Sequence, residues 1–415
     1  MKTIYSILTV VAVLFFASCD NDDAPKDTAL FGVPQVASKA TLRNSVGVQA
    51  PHETDSEGKI YVASGKLFYI AQESGVHIFN NQNPAAPQNI AFLNIPGVHD
   101  IAIKDNYLYA DNYMDLLVFD ISDFNNITLV QTVTDVIQFY AEFPTEAEFY
   151  APDVYPNEGE IITGYTLERR ERPEGMMLEM TQDAMANFQS TAAGSVGIGG
   201  SYAKFQINDN ALYTTDAYQL NVFNISEPTN TYYDKSVAMY FWLGGGEFET
   251  LYKQKDYLFV GATNGMYIVD ATDEFNPYFV SGFSHATACD PVVVSGNTAY
   301  ITVRGGNSCG AIEDQVNVID ITDVTNPVLV STTLLDNPYG LGVRDGSLYI
   351  CCGAEGLKVF NATNPEALTL AHTYPINVTD VIPLSTHLIA VGDNKVIQYQ
   401  YGANHTLAPI STINF

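Results

Sequence analysis

The reactive side chains of this chain are scattered rather than gathered into a familiar catalytic pattern. Its seven histidines include no His-x-His and no His-Glu-x-x-His spacing, the patterns that bring two imidazoles to one metal. No Gly-x-Ser-x-Gly turn offers a nucleophilic serine. The glycines of GSVGIGGS (194–201) lack phosphate-loop spacing, and no lysine follows at the right place. Carboxylates are plentiful, 47 acidic side chains against 18 basic ones, for a net charge of −29. An acidic cleft could therefore supply a carboxylate pair for glycoside hydrolysis, but no spacing selects one. The same balance excludes nucleic acid, whose binding rests on Lys and Arg neutralising phosphates. No cofactor is expected.

Regular carboxylates do occur at Asp120-Ile-Ser-Asp123 and Asp320-Ile-Thr-Asp323. Metal binding is one reading of them. The favoured one is a fold role, in which a short polar side chain ending a strand bonds backbone N–H groups two residues on. Six segments share that ending: VHIFNNQ (76–82), LLVFDIS (116–122), LNVFNIS (220–226), MYIVDAT (266–272), VNVIDIT (316–322) and LKVFNAT (357–363), with KVIQYQY (395–401) as a degenerate seventh. The anchoring Asp or Asn falls at 80, 120, 224, 270, 320 and 361. One step is about 60 residues too long, and the others cluster between 40 and 50.

Each unit also holds an apolar stretch such as DIAIKD (100–105), a turn-flanked strand such as DNYLYA (105–110), and a last strand such as PVLVSTTL (327–334). Four short strands per unit of this length make a β-propeller blade. The fold class is therefore all-β: a single propeller of four-stranded blades beginning near residues 59, 98, 200, 248, 289, 339 and 378. Seven blades are expected, or six with an irregular end. The propeller spans residues 51–415, and the long step is an insertion at 135–200 carrying 12 acids and 3 bases. The insertion is expected to cap one face. Within it, 160–174 suits a strand pair extending beyond the blade, and 177–188 has weak helical periodicity.

In a propeller, the loops that enter each blade and those between its second and third strands share one face. That rule gathers His99, Asp100, Lys204, Glu249, Asp290, Tyr339 and Asp380 with Asp111, Tyr113, Asp216, Tyr218, Arg304 and Asp393 around the channel mouth. Acids mixed with tyrosines suit a sugar, a cation or a basic peptide.

The N-terminus reads MKTIYSILTVVAVLFFASC, a basic start and an apolar run of signal-peptide length closing on small residues and Cys19. This resembles a bacterial lipoprotein signal with Cys19 as the lipid attachment site, although Phe16 stands where Leu or Val is usual. Residues 1–18 would be removed, leaving 19–50 as lipidated terminus, tether and lead-in to a mature chain of net charge −30. Asp20-Asn-Asp-Asp23 resembles the surface-export signal of Bacteroidetes lipoproteins. An outer-membrane, surface-exposed location follows, with periplasmic orientation as the alternative; the lipid would be the only membrane contact. Four cysteines remain, and export favours disulfides. Cys289 and Cys309 fall on one face of one blade and are the preferred pair. Adjacent Cys351 and Cys352 could bond only through a strained turn. A vicinal disulfide resembles one feature of quinone-dependent propeller dehydrogenases, whose Trp-rich motifs this chain, with one Trp, lacks.

The strands LLVFDIS and VNVIDITDVTNPVLV, with Asn-Pro at 83–84, 276–277, 326–327 and 364–365, resemble the LVIVD-repeat family over residues 59–401. The segment ESGVHIFNN (73–81) resembles a Bacteroidetes lipoprotein subgroup of it. The resemblance implies a propeller at the cell surface and implies no reaction. The leading expectation is a monomeric, non-catalytic module binding a glycan or a protein. The alternatives are a carbohydrate-active enzyme and a structural subunit of an outer-membrane complex.

Overall fold

The computed structural model describes residues 28–53, 58–172, 198–202, 204–216, 218–239, 247–284, 291–305 and 313–415. Among these the chain is almost wholly β, with one α-helix, Lys39–Ser45. Seven sheets each contain a four-stranded antiparallel meander in sequence order, and six of them hold nothing else. We number these blades 1 to 7. Their first strands are Gly58–Ala63, Ile101–Lys104, Phe205–Asn208, Phe248–Gln254, Val292–Ser295, Leu341–Arg344 and Asp380–Pro383.

Local chemistry explains the meander. The tight turns between first and second strands place Ser64, Asp105, Asp209, Lys255, Gly296 and Asp345 at left-handed φ, the geometry that matches the twist of a hairpin. The third strands end on the repeated anchor. Asn80, Asp120, Asn224, Asp270, Asp320 and Asn361 each accept the backbone N–H two residues on, at 2.8 to 3.4 Å, with 2.8 Å for Asp120 and Asp320. Hydrogen bonds from the hydroxyls of Ser122 and Thr322, with these backbone amides behind them, hold the Asp120 and Asp320 carboxyls below the usual range, and the Thr325 hydroxyl and amide do the same for Asp323. The fold role expected for the anchors is what the geometry shows. In all seven blades the pairing of third and fourth strands shifts register once, a bulge that adds twist at the outer rim.

Packing closes the ring. Seven apolar clusters lie between blades, one for each neighbouring pair. Alternation distributes each strand between two of them. On the second strand of blade 1, Phe68 and Ile70 face blade 2, while Leu67, Tyr69 and Ala71 face blade 7. Strands buried on both faces therefore read as unbroken apolar runs.

Two parts of the chain differ from the sequence reading. The lead-in at 19–50 is folded from Thr28 onward. Thr28–Ser38 pairs antiparallel with Glu160–Glu171 and parallel with Phe149–Tyr150, so the strand expected within 160–174 extends an N-terminal ribbon instead of a blade. Phe31, Val33 and Phe149 bury themselves in that ribbon, an interaction that no local pattern announces. Arg43, on the helix that follows, makes two 2.7 Å bonds to the fully buried Asp115, which opens the third strand of blade 2, Asp115–Asp120. The segment 177–188, expected to be helical, lies outside the described residues, as do the signal segment with Cys19, and Cys289 and Cys309.

Tyrosines stitch neighbouring blades. The buried Tyr61 hydroxyl accepts the Ile103 N–H at 2.6 Å, and 42 residues apart likewise, the Tyr252 hydroxyl donates to the Val294 carbonyl at 3.1 Å. Tyr61→Phe strands the Ile103 amide inside the blade 1–2 interface. A loss of about 1–3 kcal/mol is expected in urea unfolding, with an unchanged m-value.

Candidate functional site

The backbone ladder identifies one ring of equivalent positions at the channel mouth. The amides of Asp111, Thr215, Thr302 and Cys351 donate to the carbonyls of Asp100, Lys204, Pro291 and Gly340. Strand register places Lys59, Thr250 and Asp380 at the same level against Ile70, Gly261 and Val391. Read around the ring from blade 7, the residues are Asp380, Lys59, Asp100, Lys204, Thr250, Pro291 and Gly340. One side alternates charge, and the other is uncharged.

A strap lies along this side of the axis. Ile198–Gly199, at the end of the insertion, pairs with Tyr61 and Val62 on the free inner edge of blade 1. Ser201 follows, donating its amide and hydroxyl to Asp380 Oδ1 at 3.1 Å and accepting the Leu341 amide of blade 6 at 2.8 Å. The chain then reaches blade 2, where Asp100 Oδ2 accepts the amides of Lys204 and Phe205 at 3.0 and 3.2 Å. Glycine is needed where the backbone comes this close. A Cβ on Gly200 would stand 1.4 Å from Asp380 Oδ2, and one on Gly340 would stand 2.4 Å from Oδ1.

These contacts account for the mouth carboxylates. Asp100 and Asp380 are buried and bonded to backbone amides, Asp100 Oδ1 also accepting from Ile101 and Asp380 Oδ1 from Val381. Burial raises each to about 6 against the pull of those bonds. Lys59, buried between the two aspartates in ring order, donates to the His99 carbonyl at 2.6 Å and is pushed down to about 8 by burial. The sequence reading missed Lys59, Gly200 and Ser201. The usable signals were the placement of Lys59 at the start of the first inner strand, as Asp100 is in the second, and the glycine run itself.

The other expected residues fall into small groups. Asp111 orients His99, accepting its amide at 2.8 Å and facing its Nδ1 at 3.2 Å. The His99 ring lies 5.3 Å from Phe139, which packs edge-on against Tyr113 at 4.6 Å. Asp216 caps its own turn through the Tyr218 and Gln219 amides at 3.0 Å, while Tyr218 donates to Glu247 at 2.8 Å. Glu249 is buried at the start of blade 4. Arg304 lies over the Tyr339 ring at 4.2 Å. Asp393 pairs with Lys395 on its own hairpin. Asp290 lies outside the described residues. Cys351 and Cys352 are buried free thiols, both pushed upward by desolvation.

An open groove remains on this face. Its cavity of about 520 Å³ lies between the N-terminal helix, the ribbon and blades 2 and 3. Phe139 and Tyr233 provide ring surface, and Gln138, Gln219, Asn221 and Asp216 provide paired donors and acceptors. Lys39 and Asp135 form an ion pair at its edge.

Residues 97–135 match the LVIVD repeat. The match covers blade 2 and supports the repeat family. No curated protein matches the chain. Among solved structures, a Lactobacillus plantarum protein superposes with a TM-score of 0.55 at 12% identity, covering 94% of this chain and 96% of its own. The periplasmic gluconolactonase PpgL of Pseudomonas aeruginosa gives 0.53 at 8% identity, covering 86% and 95%. At such identities the likeness is one of fold, and the fold is a β-propeller.

The shifted groups set a pH signature. A carboxyl raised to about 6 binds its proton more tightly in the folded state than in the unfolded chain. Its contribution is complete below the ordinary carboxyl value and is lost as pH rises through 6. Asp380→Asn removes this downward component. Between pH 4 and 6, the variant's stability should therefore climb more steeply with pH than the wild type's, as read from unfolding midpoints. Lys59→Met is expected to cost about 3–5 kcal/mol at pH 7, because two buried carboxylates lose their compensating charge.

Proposed function

We propose that this protein is a lipid-anchored surface β-propeller of the LVIVD-repeat type that binds a glycan, without transforming it, in the groove beside blades 2 and 3. The observation that carries the reading is the lining of the groove. Aromatic rings beside amides and a carboxylate match the alternation of C–H faces and hydroxyls on a sugar. Protein interfaces, by contrast, centre on apolar anchors with charge excluded from the middle. Binding rather than hydrolysis is favoured by the state of Asp100 and Asp380. Each is tied to three or more backbone or hydroxyl donors beneath the strap, which leaves neither placed to hand a proton to a bound sugar.

The anchor and location rest on the first 23 residues, where an apolar run, Cys19 and the acidic Asp20-Asn-Asp-Asp23 follow one another. The ribbon supports that reading, because Thr28–Ser38 leads directly to Lys39 at the groove. Labelling with palmitate should be lost on Cys19→Ala. A glycan array probed with the mature chain should show binding that drops about tenfold or more in Phe139→Ala and Asn221→Ala at unchanged melting temperature. An empty array, or hydrolysis of a bound glycan that survives Asp100→Asn, would sink the binding reading.

A further inference from the structure

The opposite face carries a second built pocket, of about 320 Å³, at the rim between blades 6 and 7. Three departures from the repeat create it. The first is the turn after the third strand of blade 7. The other six blades close this turn with the anchoring Asp or Asn, whereas here Gln400-Tyr401-Gly402 replaces that lock. The second is Tyr401, which stands where the other blades have Asn81, Ile121, Ile225, Ala271, Ile321 and Ala362. Its hydroxyl donates back to the carbonyls of Leu384 and His387 at 2.9 and 3.0 Å.

The third departure is the backbone conformation of the turn. Asn404 and His405 are consecutive left-handed residues, at φ of 54° and 63°. Asn and His are among the side chains that enter that region most readily, and such positions concentrate where a side chain is aimed at a task. Here the aim is visible. His405 Nδ1 lies 2.7 Å from the Ser347 hydroxyl on blade 6, and the Asn404 carbonyl is fixed by His372 at 3.0 Å. With Ser347 donating, His405 Nε2 carries the proton. Beside it, Arg344 lies over the Tyr401 ring at 5.4 Å and pairs with Asp345 at 2.6 Å.

We propose that this pocket is a binding site for a single uncharged sugar ring. Its formal charge cancels, since Arg344 and Asp345 neutralise one another, which disfavours an ionic ligand. Arg344 and His405 offer donors, Asp345 an acceptor, and Tyr349 and Tyr401 an apolar wall. A vicinal diol satisfies the Arg–Asp pair by donating one hydroxyl to the carboxylate and accepting at the other. The volume lies at the lower end for ligand pockets, which limits the guest to one ring. This site does not depend on the groove reading, because the two lie on opposite faces and share no residue.

The test titrates the full mature chain with glucose, galactose, mannose and glucuronate, read by saturation-transfer NMR and calorimetry. At least one neutral hexose should bind, and Arg344→Gln and His405→Ala should each weaken it about tenfold while Phe139→Ala leaves it unchanged. Thermal unfolding of each variant confirms its fold, and Ser347→Ala gives a second, milder probe of His405 placement. Binding of glucuronate alone, no hexose binding, or equal affinity in all variants would overturn the proposal. Loss of hexose binding in Phe139→Ala alone would overturn it too, and would place the sugar in the groove instead.

Discussion

The ring depends on how it is shut between its last and first blades. All four strands of blade 1 come from residues 58–94 and all four of blade 7 from residues 380–414, so no strand is shared across the seam. Side chains must close it. Phe415 stacks on Tyr69 at 3.8 Å, Asn81 and Gln398 exchange bonds of 3.0 and 2.8 Å, and the Ser411 hydroxyl donates to Pro84. The strap adds an inner fastening, because it pairs with blade 1 through Ile198–Gly199 and with blade 7 through Ser201. The insertion thus returns to the axis at the seam before the chain goes on to blade 3.

That fastening explains the electrostatics of the mouth. Bringing a backbone over Asp380 and Asp100 removes both from water, and amide donors alone leave two negative charges buried together. Lys59 lies between them in the ring and offsets the charge. Buried networks of this kind contribute little net stability but penalise misplacement heavily. The specificity they confer here is positional, because only a glycine pair at 200 and 340 allows the strap to lie where Ser201 can reach both blades. The uncharged half of the ring is Thr250, Pro291 and Gly340, and only Gly340 among them is crowded by the strap, at the Ser201 hydroxyl, among the described residues.

Much of the fold was legible because it repeats. The Asp/Asn anchors and the alternating third strands report one local structure six times over, with a degenerate seventh, and a signal repeated that often survives its exceptions. The pairing of Thr28–Ser38 with Glu160–Glu171 happens once, across more than a hundred residues, and leaves no period to detect. The mouth residues show the same divide. Topology alone brought Asp100, Asp111 and Asp380 to one face, but the burial of Asp100 and Asp380 depends on a strap contributed by an irregular insertion. Lys59 and Ser201 lack any motif, and their roles emerge only from distances between blades. The groove and the rim pocket are likewise made by departures from the repeat, Phe139 after blade 2 and Tyr401 in blade 7.

The ribbon at the N-terminus has a mechanical consequence. Thr28–Ser38 is joined to Glu160–Glu171 by eleven paired positions, and Arg43 grips Asp115 directly after it. A force applied to the chain ahead of Thr28 and directed along this strand loads it lengthwise. The load then falls on all eleven pairs at once, as shear, rather than opening them one after another. Blade 1 and the seam behind it carry little of that load until the ribbon slips, so the ribbon would serve as strain relief for a pull on the N-terminal end.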